Sequence, residues 1–259
     1  MHSWQWHTWE GLPYLTCSIL ESWPHGFFTQ QCWPRLPQAL TLALHPQAIV
    51  YRLKQVHGNT VLTPPEVDDD LTINSSNLAQ ADGLISTEPS QAVWVASADC
   101  TPVLIGDVKT GHVAALHAGW RGTAAQIVPV AVQRMQSQGS KIESLRVALG
   151  PAIAGEVYQV TEEVAIEVCR SIISQNTTNN IVDSLHSLPD SPLFADPEPG
   201  KVRLDVRRVN TLQLQGLGFS LEQIAIAPYC TYQHSEHFFS YRRLQEKKVQ
   251  WSGIVSCRL

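Results

Sequence analysis

The amino-acid sequence predicts an α+β fold in a single domain, and three observations lead there. Short apolar runs stop repeatedly at glycine, proline or small polar clusters, as strands do. Longer segments begin at a capping residue and carry an apolar face at helical spacing. The 259 residues show no repeat and no linker, so 1–259 is read as one domain.

In order along the chain, residues 1–45 mix aromatics with Pro13, Pro24, Pro34 and Pro37, which suits short strands and turns; residues 1–25 form a variable N-terminal segment. Ile49 to Val61 predicts a strand that runs through Gln55-Val56-His57, with Gly58-Asn59 as its turn signal. Thr63 to Gln80, with Pro64-Pro65 and the solvated acidic run Asp68-Asp69-Asp70, reads as a surface loop. Gln91 to Cys100 reads as a buried strand. A second begins at Pro102 and closes at Gly106-Asp107. A third, His112 to His117, delivers His117 into Ala118-Gly119-Trp120-Arg121-Gly122.

Thr123 is expected to cap a helix that runs to about Gln138, with Gly139 as its stop and Pro129 as a kink. Leu145 to Leu149 is a strand ending at Gly150-Pro151, and Thr161 to about Ile173 is an amphipathic helix. Residues 174–201, rich in Ser, Asn, Asp and Pro, form a loop excursion. Its Asn176-Thr177-Thr178 sequon is silent in a cytosolic protein. Asp205 caps a helix with Val209, Leu212 and Leu217 on its apolar side and Gly218 at its end. Ile224 to Ala227 is a strand that leads into Pro228-Tyr229-Cys230-Thr231.

Composition narrows the function. Hydrophobic residues at 44% and charged residues at 16% support a full core and exclude disorder. A net charge of -5 without a basic run argues against nucleic acid as a partner. Apolar stretches such as Ile127 to Val132 fall far short of the roughly 20 residues that a membrane span needs. Met1 to Gly11 is Trp-rich and lacks a signal core, so the expected location is the cytoplasm. Cys17, Cys32, Cys100, Cys169, Cys230 and Cys257 include no C-x-x-C pair, which suggests neither a disulfide framework nor a zinc ribbon.

His57, Cys100 and His117 each lie at the end of an apolar strand beside small residues or proline. Catalytic zinc takes three protein ligands from His, Cys and acidic residues and keeps a fourth position for water or substrate. Two histidines and one cysteine meet that requirement. Their long separation fits no short metal pattern, and taken alone each histidine reads equally as a core or surface residue and Cys100 as a buried thiol.

The surrounding text carries more. Lys54-Gln55-Val56-His57-Gly58-Asn59, Ala81-Asp82-Gly83-Leu84, Ser97-Ala98-Asp99-Cys100-Thr101-Pro102, His117-Ala118-Gly119-Trp120-Arg121-Gly122, Gly150-Pro151-Ala152-Ile153, Cys230-Thr231 and Phe238-Phe239-Ser240-Tyr241-Arg242-Arg243 occur in this order. From about Gly26 onward the chain thereby resembles the laccase-domain family of purine nucleoside phosphorylases, also called multicopper polyphenol oxidase or YfiH-like proteins.

The resemblance implies a mixed α/β layered sandwich and a zinc site at His57, Cys100 and His117. It further implies phosphorolysis of adenosine, inosine, guanosine and methylthioadenosine, with deamination of adenosine beside it. Zinc lowers the pKa of bound water to about 7, which suits attack on C6 of adenine. Phosphorolysis needs a positive grip on phosphate and stabilisation of an electron-poor ribose carbon. Arg121, in a Gly-rich loop before a helix, is the leading phosphate candidate, with Asn59, Arg242 and Arg243 as further phosphate or substrate contacts. Asp99 and Asp82 are the acid–base candidates, or orienters of zinc ligands. Cys230, His234 and His237 are spaced for a second metal.

The chain departs from the family after Gly26-Phe27-Phe28-Thr29, where an arginine and a Gly-Gly-Val-Ser type loop usually follow. Here Gln30-Gln31-Cys32-Trp33-Pro34 stands instead, and an arginine often assigned to phosphate or substrate is absent. The residues after Ile153 also lack the family's usual cysteines. Other readings are a copper-dependent polyphenol oxidase, although none of the ten histidines forms a His-x-His pair; a non-catalytic metal-binding factor of cell-envelope maintenance; and a cysteine hydrolase using Cys100 with His117. Oligomeric state is left open.

Overall fold

The structure is a computed structural model that describes residues 2–67, 78–173, 185 and 190–258. The acidic run at 68–70 and the Asn176 sequon lie outside the described residues. One sheet is built from β1 (Trp4–Trp9), β2 (Leu12–Cys17), β3 (His25–Phe28), β4 (Ile49–Tyr51), β7 (Gln91–Ser97) and β15 (Gln250–Val255), in the order β1-β2-β3-β15-β7-β4. A second consists of β5 (Val61–Leu62), β6 (Gly83–Ile85), β8 (Thr101–Asp107), β9 (Val113–Ala118), β10 (Leu145–Leu149) and β14 (Ile224–Ile226), in the order β14-β10-β8-β9-β6-β5. β11 (Gln159–Thr161), β12 (Leu193–Ala195) and β13 (Lys201–Leu204) form a small third sheet.

Alternation along the strands sorts the side chains into layers. Leu15, Phe27, Val93 and Val95 of the first sheet meet Leu84, Leu104, Ala115 and Ala148 of the second in one buried cluster. Val103, Ile105, Leu116 and Val147 point the other way, onto helix α3 (Ile127–Ser137) and Leu214 of α5 (Val206–Gly216). On the far side of the first sheet, Trp94 and Phe28 pack under Leu40 of α1 (Pro37–Leu44). The result is a mixed α/β sandwich with helices outside both sheets. Because β7, β8 and β9 are covered on both faces, they read as nearly continuous apolar runs, while the edge strand β1 stays largely exposed. Trp23 lies against the bare backbone of β8, where a Cβ on Gly106 would come within 2.7 Å of its ring.

Several sequence expectations are revised. The run from Ile49 to Val61 is two strands in different sheets, because the chain turns at His57, whose φ is 61°. The helix expected from Thr123 to Gln138 is two, α2 (Trp120–Ala124) and α3, parted where Gln126 adopts a left-handed φ of 61°. Thr123 sits inside α2, and its hydroxyl accepts from Asn210 Nδ2 at 3.1 Å. Pro129 causes no kink: it falls in the first turn of α3, where its missing N–H has no intrahelical partner to lose. Helix α1 was not expected; Pro37 is its first residue rather than a turn.

The capped starts hold. Thr161 accepts from Val164 N–H at the start of α4 (Glu162–Cys169), and Asp205 accepts from Arg208 N–H at the start of α5.

Candidate metal centre

His57, Cys100 and His117 converge at one end of the sandwich, with candidate ligand atoms all within 4.8 Å of one another. Each comes from a different connection. His57 lies where the chain leaves β4 for β5, and Cys100 in the turn from β7 to β8, so both stand on passages between the sheets. His117 is on β9, opposite Pro102 of β8. The two imidazoles meet edge to face, 4.8 Å between centroids. Gly119 leaves room for the thiol: a Cβ there would lie 2.8 Å from Cys100 Sγ.

Asp82 organises the trio from beneath. It is fully buried, accepts from His117 Nδ1 at 2.9 Å, and takes the amide N–H groups of Val56, His57 and Gly58 at 3.2, 2.9 and 2.7 Å. Its main-chain oxygen also accepts from His117 N–H at 2.8 Å. One carboxylate therefore fixes the His117 ring and the His57 loop together. Burial opposes its ionisation, but hydrogen bonds from His117 and the amides outweigh burial and hold the carboxyl below its usual range. Burial likewise opposes a Cys100 thiolate, yet the neighbouring imidazoles of His117 and His57 pull the thiol pKa down. His117 is pushed up, since Cys100 and Asp82 outweigh its burial.

A charged sulfur, a ring whose Nδ1 is taken by Asp82 and a second imidazole form a donor set suited to a borderline-soft divalent metal. Against the trio opens a cleft of about 580 Å³, whose lining includes Leu53, Ala96, Trp251, Tyr241 and Lys247.

The family model described as multi-copper polyphenol oxidoreductase laccase matches residues 32–256. The chain belongs to this laccase-domain family. A purine nucleoside phosphorylase of Synechocystis sp. is 54% identical over 256 residues, covering 98% of this chain and 97% of that protein. An adenosine deaminase, RL5, from an unknown prokaryotic organism is 30% identical over 175 residues, 68% of this chain and 62% of that one. The crystal structure of YlmD from Geobacillus stearothermophilus superposes with a TM-score of 0.82 at 22% identity, over 98% of this chain and 99% of that one, and shares the fold.

The remaining predicted residues divide around the laccase-domain trio. Asp99, with a left-handed φ of 87°, accepts from Thr231 Oγ1 and from Arg242 N–H, both at 2.7 Å. Arg242 stacks over Tyr158, 4.9 Å from the ring centre, and donates to Gln159 O at 2.9 Å. Arg243 spends its guanidinium on the carbonyls of Thr231, Tyr232 and Phe238. Arg121 is exposed and lies 4.3 Å over Trp120. Asn59 Nδ2 donates to Ala125 O at 2.7 Å and ties the His57 loop to the end of α2.

The Cys230, His234 and His237 group does not form a second centre; among the described residues the trio is the sole cluster with metal-ligand spacing. Cys230 Sγ instead accepts from Ala154 N–H at 3.2 Å.

Sequence reasoning missed Tyr158. Burial first, and then the negative charge of Cys100, push its phenol up to about 12, so it stays protonated beside Arg121 and Arg242. It also missed Tyr241, Lys247 and Trp251 as cleft residues. Tyr158, Lys247 and Trp251 lie in none of the quoted motifs; Tyr241 lies in the 238–243 motif, where the arginines beside it are the evident candidates.

Proposed function

We propose that the chain is a zinc-dependent purine nucleoside phosphorylase that acts on adenosine, inosine, guanosine and methylthioadenosine, with adenosine deamination as a side activity. The observation that carries this reading is the three-ligand cluster opening on a largely apolar cleft. The full-length likeness to the Synechocystis enzyme supports it.

The apolar lining residues Leu53, Ala96 and Trp251 take the base and exclude water from its faces. Arg121 and Lys247, for which the structure gives no ion-pair partner among the described residues, supply positive charge for phosphate. The buried Tyr158 phenol, its ring under the Arg242 guanidinium, is a proton-bearing donor. Asp82 keeps the His117 ring in one tautomer and one orientation. His57, Cys100 and His117 would hold the zinc, which when bound would supply Lewis acidity. The proposed location is the cytoplasm; no helix among the described residues is long and apolar enough to cross a membrane.

The test gives purified protein adenosine or inosine, with and without phosphate, and reads products beside metal content. Phosphate-dependent formation of ribose 1-phosphate with about one zinc per chain, the stoichiometry of one three-ligand site, supports the reading. Metal binding without turnover overturns it in favour of a binding role. Copper-dependent phenol oxidation that disappears with His57 and His117 overturns it in favour of the activity in the family's description.

A further inference from the structure

The segment 229–244 crosses from β14 back toward β15 as a strap with little regular structure, closing in α6 (Tyr241–Leu244). It ends beside the cleft and sets Tyr241 at its wall. Irregular backbone needs pins: Cys230 and Thr231 tie this strap to Ala152 and Ala154, Phe239 ties it to Gln250, and two further groups of contacts hold it. On one side Gln30 donates through Nε2 to Ser235 O at 2.6 Å, and Gln31 Nε2 donates to Glu236 O at 2.6 Å. The other pin is Asp99.

Both carboxylate oxygens of Asp99 are committed to the strap: one to the hydroxyl of fully buried Thr231, the other to the first-turn amide of Arg242. Its own carbonyl accepts from Ile153 N–H at 3.0 Å. To present the carboxylate this way the residue adopts the left-handed backbone, which an aspartate enters at a cost. The next residue is Cys100. We infer that Asp99 is a positioning residue, which latches the strap and its Tyr241 wall to the turn that carries Cys100, and that it takes no part in proton transfer. The role in catalysis rests on the phosphorylase reading; the latch itself does not.

Asparagine separates the two roles. Its amide oxygen can accept from Arg242 N–H while its NH2 donates to the Thr231 hydroxyl, and it tolerates a left-handed backbone well. It cannot act as an acid or base. Glycine suits the backbone and abolishes the latch. Asp99→Asn, Asp99→Gly and the parent protein are compared by nucleoside kinetics and by hydrogen–deuterium exchange of the peptide spanning 239–249.

The expected result is that Asp99→Asn stays within about threefold of the parent in kcat and KM, whereas Asp99→Gly raises nucleoside KM about tenfold with a smaller fall in kcat. Exchange in 239–249 should rise in Asp99→Gly alone. Asp99→Asn as inactive as Asp99→Gly, with exchange unchanged, overturns the inference and returns the carboxylate to chemistry. Unchanged exchange in Asp99→Gly overturns the latch. If the parent shows no phosphorolysis yet exchange follows the expected pattern, the functional reading fails and the latch stands.

Discussion

Asp82 holds His117 twice, through the ring Nδ1 at 2.9 Å and through the main-chain amide at 2.8 Å. The same carboxylate gathers three amides of the His57 loop, so two ligands depend on one acid that touches neither cleft nor solvent.

Asp82→Asn keeps the size and turns an NH2 toward groups that are all donors. Metal retention is expected to weaken about 10–100-fold, the usual cost of losing a ligand's orienting partner. Competition against a chelator series measures it. Affinity equal to the parent's would show that the trio needs no support from beneath.

Gly119→Ala tests the space beside the thiol. The φ of Gly119 is -70°, which alanine accepts, so the effect is purely steric. The added methyl meets Cys100 Sγ at 2.8 Å, and overpacking of this kind costs about 1–3 kcal/mol. Lower metal content with a melting temperature reduced by roughly 2–10 °C is the expected outcome, read by metal analysis and thermal unfolding.

Arg121→Ala should raise the KM for phosphate about tenfold and leave the KM for nucleoside near the parent value, because the side chain is exposed and is not among the residues that line the cleft. Steady-state kinetics with phosphate varied at saturating inosine reads the difference. An unchanged phosphate KM would remove Arg121 from the anion site.

His25 controls stability toward acid. Its Nδ1–H donates to Trp23 O at 2.8 Å while Nε2 accepts from Cys17 N–H at 2.9 Å, so the ring is held neutral. Burial, against weaker hydrogen-bonding effects, lowers its pKa to about 4 from 6.5. The unfolded chain therefore binds the proton more readily. The contribution is complete above about pH 6.5 and is lost as pH falls toward 4, by about 3 kcal/mol in all. Denaturant unfolding from pH 7 to 4 should show a flatter profile for His25→Gln than for the parent.

The legible parts of the fold were those decided locally. Gln91 to Ser97, Thr101 to Asp107 and Val113 to Ala118 announce themselves as buried strands because they are covered on both faces. Asp205 and Thr161 mark helix starts by side chains that do cap. The break at Gln126 and the turn at His57 stayed hidden, since a left-handed residue that is not glycine leaves no mark in the text.

The trio itself was proposed from strand ends and ordered motifs, and the folded chain brings those residues together. What they depend on was less visible. Asp82 reads from its motif as an acid–base group or an orienter of a zinc ligand, and nothing local decides between the two; the pairing of β6 with β9 sets it against His117. Arg242 and Arg243 looked alike, and tertiary contacts part them, one stacked on Tyr158 and one closing three carbonyls.

His57 and Cys100 both stand on passages of chain from one sheet to the other, while His117 is fixed within the second sheet. Prising the sheets apart at this end therefore draws the three side chains away from one another. An ion gripped by all three acts as a rivet through the sandwich, and its departure and the loosening of that end become a single mechanical event.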